Sequence, residues 1–155
     1  MKILQAQATH IPGMLELLRQ VGQVHYEGRP DLFRCDCLKY DEAALKELLR
    51  DPERPIFIAE ENGFVLGYCF CVHKRTENST VLLDHHSLYI DDLCVDEGCR
   101  GRHIGTALYR HAHAYAKQMG CDSVTLNVWS FNESAVRFYE KLGLRPQKTI
   151  METLL

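Results

Sequence analysis

The chain has 155 residues, of which 46% are apolar and 25% charged, and its net charge is −3. This length and composition suit one globular domain spanning residues 1–155 with a sizeable core. The acidic balance argues against a nucleic-acid binder, and no apolar run is long enough to span a membrane. Polar residues interrupt the opening segment Met1-Lys2-Ile3-Leu4-Gln5, so no secretory signal is read there and a cytoplasmic location is expected.

Residues 1–8 read as a short strand. Thr9 is placed to cap a first helix, with Pro12 tolerated in its first turn, and Ile11, Met14, Leu15, Leu18 and Val21 follow helical spacing. Residues 22–40 are irregular and rich in aromatics. Asp41 caps a second helix with Leu45, Leu48 and Leu49 on one face, stopped by Asp51-Pro52. Strands are expected over 55–60 and 64–72, joined by the two-residue turn Asn62-Gly63. A polar loop follows, then a strand that includes 88–95. A long helix over about 102–120 should bury Ile104, Leu108, Ala112, Tyr115 and Met119, with Gly120 as its C-cap. A strand over 122–129, a helix over 132–142 ended by Gly143, and a last strand within 145–155 complete the chain. The order β-α-α-β-β-β-α-β-α-β predicts an α/β fold: a central mixed sheet with helices on both faces.

Seven cysteines are an odd number, which argues against a complete disulfide framework. Cys35/Cys37 and Cys69/Cys71 are Cys-x-Cys pairs and lack the Cys-x-x-Cys spacing of zinc and redox sites. On a strand, Cys69 and Cys71 share one face, which reads as a buried, reduced pair. No metal is expected.

Two strings carry the chemistry. In Val95-Asp96-Glu97-Gly98-Cys99-Arg100-Gly101-Arg102-His103-Ile104-Gly105-Thr106, an apolar strand stops at an acidic turn, and a basic, glycine-bearing loop opens into a helix. Backbone N–H groups at a positive helix end suit a pyrophosphate, and Arg100 and Arg102 add charge beside them. About thirty residues on comes Asn132-Glu133-Ser134-Ala135-Val136-Arg137-Phe138-Tyr139-Glu140-Lys141-Leu142. Together the two strings resemble the GCN5-related N-acetyltransferase (GNAT) family, which moves an acetyl group from acetyl-CoA to an amine. The family loop reads Gln or Arg, two residues, Gly, any residue, then Gly or Ala. Arg100, Ile104 and Gly105 fit that pattern, while His103 stands where Gly is usual.

The resemblance implies a cofactor site made of Leu93, Cys94, Val95, Arg100, Gly101, Arg102, His103, Ile104, Gly105, Thr106 and Asn132. The strand backbone at Leu93–Val95 would pair with the pantetheine arm, and an N–H near Cys94 would face the thioester oxygen. Direct attack in a ternary complex is the family norm, so Cys94 is not read as a nucleophile. Tyr139 is the implied acid: a phenol with a pKa near ~10 holds its proton at neutral pH and can give it to a departing thiolate. The amine must lose a proton before it attacks. Tyr89-Ile90-Asp91-Asp92-Leu93-Cys94-Val95 resembles the matching strand of spermidine/spermine acetyltransferases, where an acidic residue at the position of Asp91 acts through water. On a regular strand Asp91 and Asp92 face opposite ways, and Asp91 is chosen as the base. His85 and His86 are alternative bases, read chiefly as polar surface residues.

The acceptor site is expected near His25, Tyr26, Glu27, Asp31 and Phe33, with Tyr26, Glu27 and Phe33 as its contacts. Carboxylates and ring faces of this kind hold a cation. A small or polyamine-like primary amine ranks above a protein lysine or N-terminus. A homodimer is common in the family, and no residue pattern here decides it. The alternative is a non-catalytic acyl-CoA sensor on the same fold. A P-loop phosphotransferase fails because no Gly-Lys-Ser/Thr follows the loop.

Overall fold

The computed structural model describes residues 1–36 and 38–155. Its elements are β1 (Lys2–Gln5), α1 (Ile11–Gly28), α2 (Glu42–Leu48), β2 (Ile56–Glu61), β3 (Phe64–Thr76), β4 (His85–Val95), α3 (Ile104–Gln118), β5 (Ser123–Leu126) and α4 (Glu133–Lys141). The strands form one mixed sheet in the order β1-β2-β3-β4-β5. β1 to β4 pair antiparallel, and β5 joins β4 in parallel. That parallel pairing needs the crossover which α3 supplies. No described helix is long and apolar enough to cross a membrane.

Local chemistry explains most of the boundaries. Asn62 and Gly63 both take positive φ, 54° and 82°, as a tight turn with the twist of a hairpin requires. Asp41 caps α2 by accepting the Ala44 N–H at 2.8 Å. Gly120 and Gly143 end α3 and α4 at positive φ. Thr9 is not the cap of α1. The chain first makes a 3-10 turn over Ala8–His10, because the His10 ring accepts the Gln7 N–H at 2.9 Å and is itself held by Glu60.

The sheet divides the core into two layers. Alternation along β3 sends Tyr68 and Phe70 toward α1 and α2, where Met14, Leu17, Leu18 and Leu45 pack. Cys69 and Cys71 go the other way, onto the α3 face with Leu88, Ile104, Leu108 and Ala112. Both cysteines are buried, with their Sγ atoms 3.6 Å apart. Cys37 lies outside the described residues. Met119 was expected in the core, yet it is 47% exposed, because α3 ends before it. Ala116 and Tyr109 take up that face instead.

The last expected strand does not form among the described residues. Residues 145–155 run exposed without a ladder partner, and Arg29 ties Glu152 at 2.5 Å. Only Thr149, Ile150 and Thr153 in this tail favour a strand, and Pro146 opposes one, although the outer edge of β5 carries no described strand. β5 likewise stops at Leu126 rather than 129.

Candidate active site

The short β5 shapes the site. It pairs with β4 only from Ser87 to Ile90. Beyond Ile90, β4 continues to Val95 with β3 on one side and, among the described residues, no strand on the other. Leu93, Cys94 and Val95 therefore present an open edge to the region of α4 and the start of α3. Gln20 of α1 fixes the turn that follows. Its amide donates to Asp96 at 3.0 Å and accepts the Glu97 N–H at 3.1 Å.

The loop after that turn is exposed from Arg100 to His103, and Ile104 anchors it in the core. His103 takes the left-handed conformation, φ 59° and ψ 18°, and Gly101 has φ 80°. A glycine would adopt the His103 geometry without a Cβ clash. His103→Gly is therefore expected to raise stability by about 1 kcal/mol, and His103→Val to lower it by at least as much. Urea unfolding of the three proteins checks this. The left-handed cap turns the chain into α3, and helix geometry leaves the N–H groups of Ile104, Gly105 and Thr106 without intrahelical partners. A Cβ at Gly105 would sit 3.2 Å from the Phe138 ring and 3.6 Å from Val95, so α3 starts hard against β4 and α4.

The two loop arginines separate in role. Arg102 is bound to Glu61 at 2.7 Å. The Arg100 side chain makes no hydrogen bond or ion pair among the described residues and lies close enough to Cys94 to act on its thiol electrostatically. Burial nevertheless raises the Cys94 thiol to about 12. That holds the proton on its sulfur at neutral pH.

Asn132 caps α4: its carboxamide oxygen accepts the Ala135 N–H at 3.2 Å and the Ser134 hydroxyl at 2.9 Å. Its amide N–H groups are left for another partner. Tyr139 lies half-buried on α4, within electrostatic reach of Cys94 and Asp92. Burial raises its phenol above the ordinary value, and its hydroxyl makes no hydrogen bond among the described residues. The proton is retained at neutral pH and has no competing acceptor.

The acidic pair departs from the expected geometry. Phe70 pairs with Asp92 and Cys71 with Ile90, so Asp91 is an extra residue in a β-bulge. The bulge breaks strict alternation, and both carboxylates reach the α1/α2 side of the sheet. Asp91 accepts the Tyr40 hydroxyl at 2.6 Å and pairs with Lys39 at 2.8 Å. Tyr40 packs on Phe70, Phe70 packs on Tyr68, and the Tyr68 hydroxyl donates to Asp92 at 2.9 Å. Burial raises the Asp92 carboxyl from an ordinary 3.8 to about 6, in the range where a general base works.

Around the acceptor side, Phe33 stacks on His25 at 4.9 Å and meets the edge of Trp129 at 5.3 Å. Trp129 stacks in turn on Phe131. Phe131 lies against the last turn of α1, where a Cβ at Gly28 would come within 2.0 Å of its ring. Tyr26 is half-buried, whereas Glu27 is exposed and accepts from Gln23 at 2.8 Å. Asp31 is taken by Arg29 at 2.7 Å, so it is not available for a cation beside Phe33. Lys39, Tyr40, Tyr68, Trp129 and Phe131 escaped the sequence reading. Lys39-Tyr40 directly precedes the Asp41 cap in a stretch without periodicity, and nothing local links it to β4.

The Acetyltransferase (GNAT) family matches residues 21–144. This chain belongs to the GNAT family. An uncharacterised N-acetyltransferase of Methanocaldococcus jannaschii is 33% identical over 105 residues, covering 68% of this chain and 45% of the relative. The chain thus spans less than half the length of that relative. A crystal structure of a mutant Bacillus halodurans protein superposes with a TM-score of 0.96 at 28% identity, covering 100% of this chain and 99% of that one. An aminoglycoside N-acetyltransferase in complex with CoA shares the fold, with a TM-score of 0.75 at 15% identity, over 99% of this chain and 98% of its own.

Proposed function

We propose that this GNAT protein transfers the acetyl group of acetyl-CoA to a primary amine by direct attack in a ternary complex. The observation that carries this reading is the open β4 edge at Leu93–Val95, set between the loop at the start of α3 and the unpartnered hydroxyl of Tyr139. Acetyl-CoA supplies an activated thioester and a pyrophosphate. The N–H groups of Gly101 to Thr106, with Arg100 and Arg102, hold the phosphates at the positive end of α3. Arg102 does so while bound to Glu61, which leaves Arg100 as the stronger contributor. The β4 edge takes the pantetheine arm as an added strand, and an N–H near Cys94 stabilises the carbonyl oxygen. Asn132 donates its remaining amide hydrogens to the same arm.

Asp91, the member of the pair that meets Lys39 and Tyr40, faces the incoming ammonium. The Asp91–Asp92 pair takes its proton through solvent, with Asp92 tuned near neutrality by burial. The amine nitrogen then bonds to the carbonyl carbon, the carbon–sulfur bond breaks, and Tyr139 gives its phenolic proton to the sulfur. The second proton lost by the nitrogen restores Tyr139.

The carboxylate pair, joined at Asp91 by Lys39, which also acts electrostatically on His25 of the His25–Phe33–Trp129–Phe131 wall, favours a small or polyamine-like amine over a protein lysine or N-terminus. Tyr26 and Glu27, which follow His25 in the last turn of α1, are with Phe33 the acceptor contacts in this reading. Soluble, cytoplasmic chemistry without nucleic acid or membrane fits this reading.

Calorimetric titration with acetyl-CoA, CoA and ATP tests the cofactor site, and CoA release with a panel of amines tests the turnover. Selective binding with turnover is the expected result. Binding of acetyl-CoA without turnover on any amine would favour the sensor, and no binding by the folded chain would remove both readings.

A further inference from the structure

Three side chains from separate elements meet at the end of β4 remote from the acyl site. His73 stands on β3, His86 is the second residue of β4, and Cys121 follows α3. His73 Nδ1 lies 2.8 Å from His86 Nε2. Cys121 Sγ lies 3.5 Å from His86 Nε2 and 3.9 Å from His73 Nδ1. All three donor atoms fall within 4.8 Å of one another.

A tetrahedral zinc ion bonded at about 2.0–2.1 Å to nitrogen and about 2.3 Å to sulfur sets its ligand nitrogens about 3.3 Å apart and nitrogen and sulfur about 3.6 Å apart. Cys121 and His86 meet the nitrogen–sulfur spacing, Cys121 and His73 exceed it by about 0.3 Å, and the two rings need to part by about 0.5 Å to meet the other. The rings are also held for this purpose. His73 is buried, and its Nε2 is bound to the Tyr115 hydroxyl at 3.1 Å, which aims Nδ1 at the cluster. Such an outer partner fixes ring orientation at metal sites. The His73 N–H donates to the Glu53 carbonyl at 2.8 Å, and the His86 N–H donates to the Asp122 carboxylate at 2.8 Å. A shallow surface opening whose lining includes His85, His86 and Asp122 reaches the cluster at His86.

We propose that His73 Nδ1, His86 Nε2 and the Cys121 thiolate bind one divalent ion of the zinc class, with solvent in the fourth position. The ion displaces the proton of the Cys121 thiol and the hydrogen bond between the two rings. It ties the ends of β3 and β4 to the α3–β5 connection. The site stands eight residues along β4 from Cys94, about 26 Å at about 3.3 Å per residue, so it acts on stability rather than on acyl transfer. The expectation of no metal rested on Cys-x-x-Cys spacing, which ligands at 73, 86 and 121 do not need.

The test is Co²⁺ titration of the metal-free full chain. One equivalent should bind, with tetrahedral ligand-field absorption and a thiolate charge-transfer band, and Zn²⁺ should displace it. Cys121→Ser should abolish the charge-transfer band. Cys121→Ser and His86→Gln should each weaken Zn²⁺ binding by about 100-fold or more, and Tyr115→Phe by about 10-fold. Zn²⁺ should raise the Tm of the parent chain and leave that of either ligand variant unchanged. Circular dichroism establishes that each variant is folded, and half-buried His86 supplies the second variant if Cys121→Ser is not. Absence of stoichiometric binding by the folded chain overturns the proposal, as does a charge-transfer band that survives in Cys121→Ser.

Discussion

Tyr139→Phe is expected to lower kcat by about 10²- to 10³-fold, the usual worth of a positioned acid, with acetyl-CoA affinity nearly unchanged. The substitution removes one oxygen and leaves the ring, so its packing against Phe138 at 5.0 Å persists. The effect should be on the chemical step because the hydroxyl makes no structural hydrogen bond among the described residues. Burial keeps the phenol protonated above neutral pH, so the parent chain should show no loss of the proposed activity from Tyr139 ionisation up to about pH 9. Steady-state kinetics beside calorimetric acetyl-CoA binding separates the two parameters. Unchanged turnover across pH would assign the proton to another donor.

The second large effect concerns the acidic pair. Asp91→Asn should reduce kcat/KM by about 10²-fold, most at low pH where free amine is scarce. The acceptor KM should rise, because Lys39 is left facing the incoming ammonium without its partner at 2.8 Å. Asp92→Asn should remove the inflection near pH 6 from the acid limb of kcat/KM, since the Asp92 carboxyl titrates at about 6. An acid limb shared by the parent and Asp92→Asn, with an unaltered profile in Asp91→Asn, would place the base outside the pair.

Stability should move the other way. The folded pKa of Asp92 is raised from 3.8 to about 6. Between those values the unfolded chain releases its proton first. The stability from the protonated carboxyl is therefore full below about pH 4 and is lost as pH rises through about 6. At pH 7–8, burying the charge costs on the order of 2–3 kcal/mol. Asp92→Asn keeps an acceptor for Tyr68 without the charge, so it should be more stable than the parent at pH 8 and not at pH 4. Thermal unfolding at the two pH values measures this. A residue that destabilises the fold at working pH fits a catalytic group better than a structural one.

The elements were readable wherever short-range chemistry sets them. Asp41 three residues before Ala44, the Asn62-Gly63 turn, and glycines at 120 and 143 state their own geometry. The order of elements and the periodicity of α1 and α3 followed from the same local rules. The failures share another cause. Residues 145–155 are expected as a strand from the order of elements, yet only Thr149, Ile150 and Thr153 favour one, and the segment pairs with no described strand. Thr9 has the chemistry of a cap, yet His10, held by Glu60 fifty residues away, wins the turn.

The amino-acid sequence by itself determined the fold class, the family, the loop at the start of α3 and the candidacy of Tyr139. Each of these rests on short strings of neighbouring residues, or on the order of such strings along the chain, and neither needs a long-range contact to be read. Only the tertiary structure decided that Asp91 sits in a bulge and shares a face with Asp92, because a bulge is a property of two paired strands. It also decided that Arg102 is bound to Glu61, that Lys39 and Tyr40 reach Asp91, and that β5 stops short and leaves β4 open. It gathered His73, His86 and Cys121 within hydrogen-bonding reach, although 48 residues separate the first from the last. Those arrangements depend on which elements pack together, and contacts of that range leave no period or spacing to read.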